Sequence, residues 1–252
     1  MSDKVRVRVL RQDAFDRKDT RRWEEFEVAR GERATVLSAL RAIQRAPRTV
    51  DGRAVAPVAW ETPCLEHACG VCTMLVNGVV GQACTSLLDV VAPKGRVSLA
   101  PLGKFPLVRD LWVDRQRMTD DLKRVRAFVG YDGSTDALGE SPAAQAERLL
   151  LASCTSCGAC LEACPQYHHD GAYVGAAAIN QARLVGLHEG GALDRGARLD
   201  ALMGDGGIAS CGKAQNCVEV CPQGIPLTES LGSVARDTSK RFLFGWLLGA
   251  RR

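Results

Sequence analysis

Residues 64–84 read CLEHACGVCTMLVNGVVGQAC, with four cysteines in the spacing C-x4-C-x2-C and a fourth after eleven residues. This spacing is typical of plant-type [2Fe–2S] sites, in which thiolates bind two bridged iron atoms. Gly70 allows the backbone to come close to a cluster, where a side chain would obstruct it. Structural zinc is the alternative, but zinc sites usually show two separated C-x2-C pairs. We therefore expect a [2Fe–2S] centre, with these ligands: Cys64, Cys69, Cys72 and Cys84.

The segments around this cysteine loop predict a small α+β domain. Valine alternates with arginine over residues 5–9, which is the period of a half-buried strand, and residues 23–28 can form its antiparallel partner. Thr35 precedes a helical pattern, and Asn77-Gly78 between short apolar runs predicts a hairpin. Strand, strand, helix and hairpin, with cysteines on both sides of the hairpin, are typical of a β-grasp ferredoxin. We assign this domain to residues 1–106.

A second cysteine motif occurs twice in the later part of the chain. Residues 154–165 read CTSCGACLEACP, the bacterial spacing C-x2-C-x2-C-x3-C-P, and residues 211–222 repeat it as CGKAQNCVEVCP. In two-cluster ferredoxins the cysteine before the proline binds the other cluster. Applied here, this rule gives a [4Fe–4S] site with one ligand set: Cys154, Cys157, Cys160 and Cys221. It gives a further site with another: Cys164, Cys211 and Cys217.

This further site has three thiolates because Ala214 stands where the motif has a cysteine. A site that lacks one thiolate can hold a cluster that lacks one iron, so we assign a [3Fe–4S] cluster. The alternative is a complete cube with water or a carboxylate on its fourth iron, since alanine offers no ligand atom. Helical patterns surround both motifs, at residues 142–153, 176–189, 195–203 and 226–241. We therefore expect residues 107–252 to form an α-helical, bacterial-type two-cluster ferredoxin domain.

Composition narrows the class of protein further. The 252 residues suggest one or two domains, and a net charge of +4 without a dense basic stripe makes nucleic acid an unexpected partner. The first residues do not read as a secretory signal, so we expect a reducing compartment, in which eleven thiols bind metal more often than they form disulfides.

One apolar segment stands out near the C-terminus, although we expect no transmembrane segment. Residues 242–248, flanked by basic residues, fall short of the roughly 20 apolar residues that cross a bilayer. They are expected either to pack on their own domain or a partner subunit, or to lie at the membrane interface.

These motifs together resemble the iron–sulfur subunit of succinate dehydrogenase and fumarate reductase, the family of respiratory complex II. The likeness covers nearly the full length and extends beyond the cysteines, to KFPLVRDL at residues 104–111, QNCV at 215–218 and CPQGIP at 221–226. It is strongest toward the Bacillus-like menaquinone branch, which has a diheme cytochrome b anchor.

The resemblance implies an electron relay. A flavoprotein subunit with FAD oxidises succinate, and electrons pass through [2Fe–2S], [4Fe–4S] and [3Fe–4S] clusters to a quinone at a membrane anchor carrying heme b. It also implies a peripheral position on the cytoplasmic face of the bacterial inner membrane, and no residue of this chain acts on succinate. Two alternatives remain: the reverse reaction of a quinol:fumarate reductase, and a soluble ferredoxin-type carrier.

The residues after Cys164 are candidates for contact with the quinone: Pro165, His168 and His169. Histidine titrates near neutrality and can handle protons there, although an ordinary polar loop is the alternative. Ubiquinone-reducing relatives carry a tryptophan shortly after this Cys-Pro and a histidine directly after the first cysteine of the last motif. This chain has His169 and Gly212 in those places, so menaquinone is the expected quinone.

A charged stretch lies near the predicted domain boundary and includes Arg109, Asp110, Asp114 and Arg115. We expect it to form a solvated face or a set of interdomain salt bridges.

Overall fold

A computed structural model describes residues 4–61, 63–130 and 141–247, without the side chains of Glu189, Trp246 and Leu247. Leu248, the last residue of the predicted apolar tail, lies outside these ranges. The chain divides into two compact units, the first formed by Met1–Arg115 with Thr155–Glu162 and the second by Gln116–Cys154 with Ala163–Arg252. The domain boundary that the sequence suggests after Pro106 stays a prediction.

A five-stranded mixed sheet forms the centre of the first unit. Its strands are β1 (Lys4–Arg11), β2 (Arg22–Ala29), β3 (Thr73–Val76), β4 (Val79–Gln82) and β5 (Arg96–Ala100), in the order β2-β1-β5-β3-β4. Strand β1 is antiparallel to β2, as expected, and parallel to β5. The parallel pairing was not expected, because it joins segments far apart in sequence.

The alternating pattern of β1 packs one side of the sheet against helix α1 (Val36–Arg45). Val5, Val7 and Val9 are fully buried, and the arginines between them are exposed. The helix begins with a capping box in which the Thr35 hydroxyl accepts from Ser38 N at 3.2 Å and Ser38 Oγ accepts from Thr35 N at 2.8 Å. The predicted helix start is therefore confirmed.

The predicted hairpin is also confirmed. Asn77 and Gly78 have φ values of 52° and 80°, as a two-residue hairpin turn requires, and Val76 pairs with Val79. The hairpin brings both ends of the cysteine segment together, since Ala83 N donates to the carbonyl of Cys72 at 3.1 Å.

The remaining elements of the first unit are short: a 3₁₀ turn (Lys18–Thr20), α2 (Leu88–Val91), the ribbon of β6 (Leu107–Arg109) and β7 (Trp112–Val113), and a helical turn at Ala159–Glu162. Between β6 and β7, Asp110 is fully buried and pairs with Arg11 at 2.8 Å within this unit. The expectation of a solvated face is wrong for Asp110, because buried Arg11 needs carboxylate partners.

Helices form the second unit. They are α3 (Gln116–Arg124), α4 (Pro142–Ala152), α6 (Gly175–Gly186), α7 (Arg195–Met203), α8 (Asn216–Glu219) and α9 (Leu227–Leu247). The label α5 belongs to the helical turn Ala159–Glu162 of the first unit. The second unit also has 3₁₀ turns at Glu189–Ala192 and Ile208–Ser210. The four predicted helical segments are confirmed, and α9 continues beyond its predicted end.

A buried polar chain joins three of these helices. Ser230 Oγ of α9 donates to Asn180 Oδ1 of α6 at 2.9 Å, and Asn180 Nδ2 donates to the carbonyl of Leu151 in α4 at 3.3 Å. Because each of these buried polar groups has a partner, the hydrogen bonds fix the positions of the three helices relative to one another. Within the described residues, no helix is both long and apolar enough to span a membrane.

Candidate iron–sulfur sites

The loop from Cys64 to Cys72 points its backbone amides at cysteine sulfurs. The amides of Glu66 and Ala68 lie 3.4 and 3.3 Å from Cys64 Sγ, and Cys64 N lies 3.3 Å from Cys69 Sγ. Leu65, His67 and Gly70 have positive φ angles, which curl the loop around these sulfurs. Amide donors of this kind stabilise thiolates and tune the potential of a cluster.

The protonation behaviour of these cysteines fits a site for several thiolates. The amides of Glu66 and Ala68 lower the pKa of Cys64 to about 7. Burial, followed by interactions with Cys84 and Cys69, raises the pKa of Cys72 to about 12. Thiolates that crowd one another in a buried place need a cation to neutralise them. The structure thus brings together the four cysteines that the sequence predicts for the [2Fe–2S] centre.

The second unit brings three cysteines together. Burial raises the pKa of Cys217, and the nearby thiolates of Cys164 and Cys211 raise it further. Asn216 Nδ2 donates to the carbonyl of Ala163 at 3.0 Å, which ties the loop before Cys164 to the helix that carries Cys217. These are the three residues predicted for the [3Fe–4S] site.

Tyr173 belongs to this group, although no spacing or motif in the sequence points to it. Its side chain is buried, and its hydroxyl hydrogen-bonds to Cys211. Burial first, and then the charges of Cys211, Cys164 and Cys217, raises the pKa of Tyr173. The phenol therefore stays protonated and can donate to a cysteine sulfur.

Position 214 lies at an exposed turn of the same site. Ala214 is exposed between Lys213 and Gln215, whose φ values are 56° and 65°. Gly212 is also exposed, and a Cβ there would lie 2.6 to 2.8 Å from the end of the flexible, exposed side chain of Gln166, which can move aside. The loop therefore carries Cys211 and Cys217 on either side of a residue whose side chain has no atom that could bind iron.

The predicted [4Fe–4S] ligands are divided between the two units. Cys157 and Cys160 are buried in the first unit, and Cys154 and Cys221 belong to the second. A Cβ on Gly70 would lie 2.7 Å from Cys157 Cα, so the loop of the first site touches Cys157 directly. This ligand set stays a prediction.

The candidate quinone residues lie in the loop that follows Cys164. Pro165, His168 and His169 are all exposed. Arg117 holds the loop, because its guanidinium donates to the carbonyls of His169 and Gly171, both at 2.7 Å. The exposure leaves both imidazoles accessible, and contact with a quinone stays a prediction.

All eleven cysteines are free thiols. In the described part of the chain, no three His, Cys, Asp or Glu side chains converge as ligands of a single metal ion. In a cluster the thiolates are distributed over two or more bridged irons, so the full ligand set spans a larger site than that of one ion. In the first unit, cysteine sulfurs accept hydrogen bonds from backbone amides, and in the second unit three cysteines lie close together. This arrangement is that of an iron–sulfur protein.

Comparisons with known proteins identify which iron–sulfur proteins this chain resembles. Residues 6–120 match a 2Fe-2S iron-sulfur cluster binding domain, and residues 150–225 match a 4Fe-4S dicluster domain. The succinate dehydrogenase iron-sulfur subunit of Bacillus subtilis (strain 168) is 44% identical over 93% of this chain and 92% of its own. The fumarate reductase iron-sulfur subunit of Wolinella succinogenes is 24% identical over 94% of this chain and 98% of its own.

A solved structure supports the fold. A chain of the Mycobacterium smegmatis Sdh1 complex in the apo form superposes with a TM-score of 0.80, at 19% identity, over 96% of this chain and 98% of that one. The chain therefore belongs to the family of iron–sulfur subunits of succinate dehydrogenase and fumarate reductase. It is an electron-transfer subunit of an oxidoreductase, with a 2Fe–2S domain followed by a 4Fe–4S dicluster domain.

Proposed function

We propose that this chain passes electrons from a flavoprotein subunit with FAD, through [2Fe–2S], [4Fe–4S] and [3Fe–4S] clusters, to a membrane quinone during succinate oxidation. The observation that carries the proposal is the grouping of thiols into a set of four in the first unit and a set of three in the second. The likeness along nearly the whole chain to a succinate dehydrogenase subunit supports the direction of transfer.

The finer fold assignment belongs to this proposal. A β-grasp ferredoxin for the first domain is supported by a mixed sheet in which parallel strands β1 and β5 adjoin, with α1 packed against it. The duplicated cysteine motif among helices supports a bacterial-type two-cluster ferredoxin for the second domain. We keep the boundary after residue 106 as part of the proposal.

The three-iron cluster is proposed for the site of Cys164, Cys211 and Cys217. Ala214→Cys should supply the missing thiolate, convert the site to [4Fe–4S] and impair quinone reduction, because its position matches Cys157 in the duplicated motif. The EPR signal of the oxidised three-iron cluster is the measurement. If that signal is undiminished in the variant, the assignment is wrong.

We propose a flavoprotein and a cytochrome b membrane anchor as partner subunits, with menaquinone as the quinone. The choice of quinone rests on His169 and Gly212, which stand where ubiquinone-reducing relatives carry a tryptophan and a histidine. Pro165, His168 and His169 are proposed to lie beside the quinone. A peripheral position on the cytoplasmic side of the inner membrane follows from the same assignment.

Purification from membranes tests this function. We expect the chain to copurify with a flavoprotein and a cytochrome b, and to show three distinct cluster signals in EPR. Recovery as a lone soluble protein with electron-carrier activity would contradict the proposal. Other relatives are named as subunits of fumarate reductase. Comparing the reduction potentials of the three clusters with that of the succinate/fumarate couple distinguishes succinate oxidation from fumarate reduction.

A further inference from the structure

Arg115 is held against the loop of the predicted [2Fe–2S] site. Its Nη2 donates to the carbonyl of Val71 at 3.1 Å and lies 3.4 Å from the carbonyl of Thr73. These two carbonyls flank Cys72, a predicted iron ligand. The guanidinium is mostly buried, with 14% of its side chain exposed, so solvent screens its charge weakly.

The same guanidinium also lies close to a predicted ligand of a second cluster. Burial lowers the pKa of Arg115, and the nearby thiolate of Cys157 opposes part of this effect. Gly70 packs against the backbone of Cys157 within the same unit, which fixes this cysteine beside the loop. Arg115 remains a cation at any physiological pH, because the guanidinium pKa lies far above neutrality. One buried positive charge therefore faces ligands of two predicted clusters.

Glu61 supplies a counter-charge. It forms an ion pair with Nη1 of Arg115, and 26% of its side chain is exposed. Nε of Arg115 is buried and has no hydrogen-bond partner in the described structure. A buried cation with an unsatisfied donor costs folding free energy. Packing alone does not require a charged residue here. Because Arg115 lies beside the cysteine thiolates, its charge acts on them electrostatically.

We propose that Arg115 raises the reduction potentials of the predicted [2Fe–2S] and [4Fe–4S] clusters, the former more strongly, and that Glu61 opposes this effect. The inference rests on the proposed function, because it requires clusters at these cysteines. One-electron reduction adds a negative charge to a cluster, and a nearby cation stabilises the reduced form in a low-dielectric surrounding. Glu61 partly cancels this field and so sets its strength.

Redox titration of the assembled complex, followed by EPR of the [2Fe–2S] cluster, tests the proposal. Arg115→Gln should lower the equilibrium constant for reduction at least tenfold, which is a fall of at least about 59 mV for a one-electron couple. Arg115→Lys keeps the charge and should restore most of the potential. Glu61→Gln should shift the potential in the opposite direction, because it leaves the cation without its counter-charge.

Arg30→Gln is the matched control. Arg30 lies in the same unit with 10% of its side chain exposed, one carboxylate partner, Asp89, and one carbonyl partner, Ala92. Its loss should leave the potentials unchanged. Equal potentials in wild type and Arg115→Gln, or the same fall in Arg115→Lys, would overturn the proposal. If Arg115→Gln does not assemble, Glu61→Gln decides, since a potential that stays or falls contradicts it. A wild type without a [2Fe–2S] signal would instead refute the proposed function.

Discussion

Gly70 lies where two cysteine segments are in contact, and this contact requires a residue without a Cβ. Its φ of 72° lies in the left-handed region, and a Cβ would lie 2.7 Å from Cys157 Cα and 2.8 Å from the carbonyl of Thr155. Both contacts are to backbone, which cannot move aside like the end of a flexible side chain. The sequence suggested glycine for close approach to a cluster, and the structure adds close approach to a second cysteine segment.

Gly70→Ala should therefore cost more than its backbone strain. We expect about 1–2 kcal/mol from the left-handed conformation and about 1–3 kcal/mol more from overpacking against Cys157. Iron content and thermal unfolding measure the effect. Gly52→Ala is the control, because Gly52 has a similar φ of 83° and no atom near the position of a Cβ. Equal losses in both variants would show that the contact with Cys157 contributes nothing.

Tyr173 permits a more selective change. Tyr173→Phe removes the hydroxyl that bonds to Cys211 and keeps the buried ring. A hydrogen bond to a cluster sulfur stabilises the reduced form, so the potential of the predicted [3Fe–4S] cluster should fall. A bond worth roughly 1 kcal/mol corresponds to roughly 40 mV in a one-electron couple. EPR-monitored titration gives this potential, and the other two clusters in the same sample should not change. A uniform shift of all three would contradict a local effect.

Helix α9 is held against α7 by ion pairs near its exposed end. Arg241 of α9 forms a two-point pair with Asp200 of α7, at 2.6 and 2.7 Å, and Arg195 lies 3.6 Å from Asp237. Hydrogen bonding to Arg241 lowers the pKa of Asp200. Both side chains are about half exposed, so the pair contributes less than about 1 kcal/mol.

Arg241→Gln should speed amide hydrogen exchange in residues 235–247. It should also weaken the increase of this exchange at acidic pH. A carboxyl group with a lowered pKa stabilises the folded state above its unfolded pKa, near 4, and this contribution is lost as the pH falls below that value. Wild type should therefore fray below about pH 4, whereas the variant frays already at neutral pH. Lys240→Gln, at an exposed neighbouring position, is the control. Identical exchange in both variants would rule out the fastening role.

Local sequence signals predicted the elements that depend on a few adjacent residues. Asn77-Gly78 fixed the hairpin, and Thr35 fixed the start of α1, because turn and cap preferences act within four residues. Strand β5 (Arg96–Ala100) was not predicted, since its parallel pairing with β1 depends on a distant segment.

The same distinction holds for the site. Cysteine spacing predicted the groups around Cys72 and Cys217, because ligand loops are short and regular. Arg115 and Tyr173 reach these groups through tertiary packing and carry no spacing signal. For Arg115, sequence reasoning pointed to a solvated or interdomain charge, whereas most of its side chain is buried within the first unit.

The C-terminal end of α9 exposes three large apolar side chains in succession. Phe242, Leu243 and Phe244 are 67%, 56% and 58% exposed. They follow Lys240 and Arg241 in the sequence. Side chains this exposed contribute little to the fold of the chain itself, so they are free to bind a partner. We expect that partner to be the membrane-anchor subunit of the proposed complex.

Replacing Phe242 and Phe244 together by serine separates assembly from folding. Each phenylalanine that becomes fully buried in an interface stabilises it by about 1.5–3 kcal/mol, so membrane association should weaken at least tenfold. The free energy of unfolding should change by less than about 0.5 kcal/mol, because neither side chain is buried in the chain. Val90→Ser, at a position 71% exposed in the first unit, is the control and should leave association intact. Sedimentation of each variant with membranes measures association, and unchanged binding of the double variant would mean that the anchor docks elsewhere on the protein.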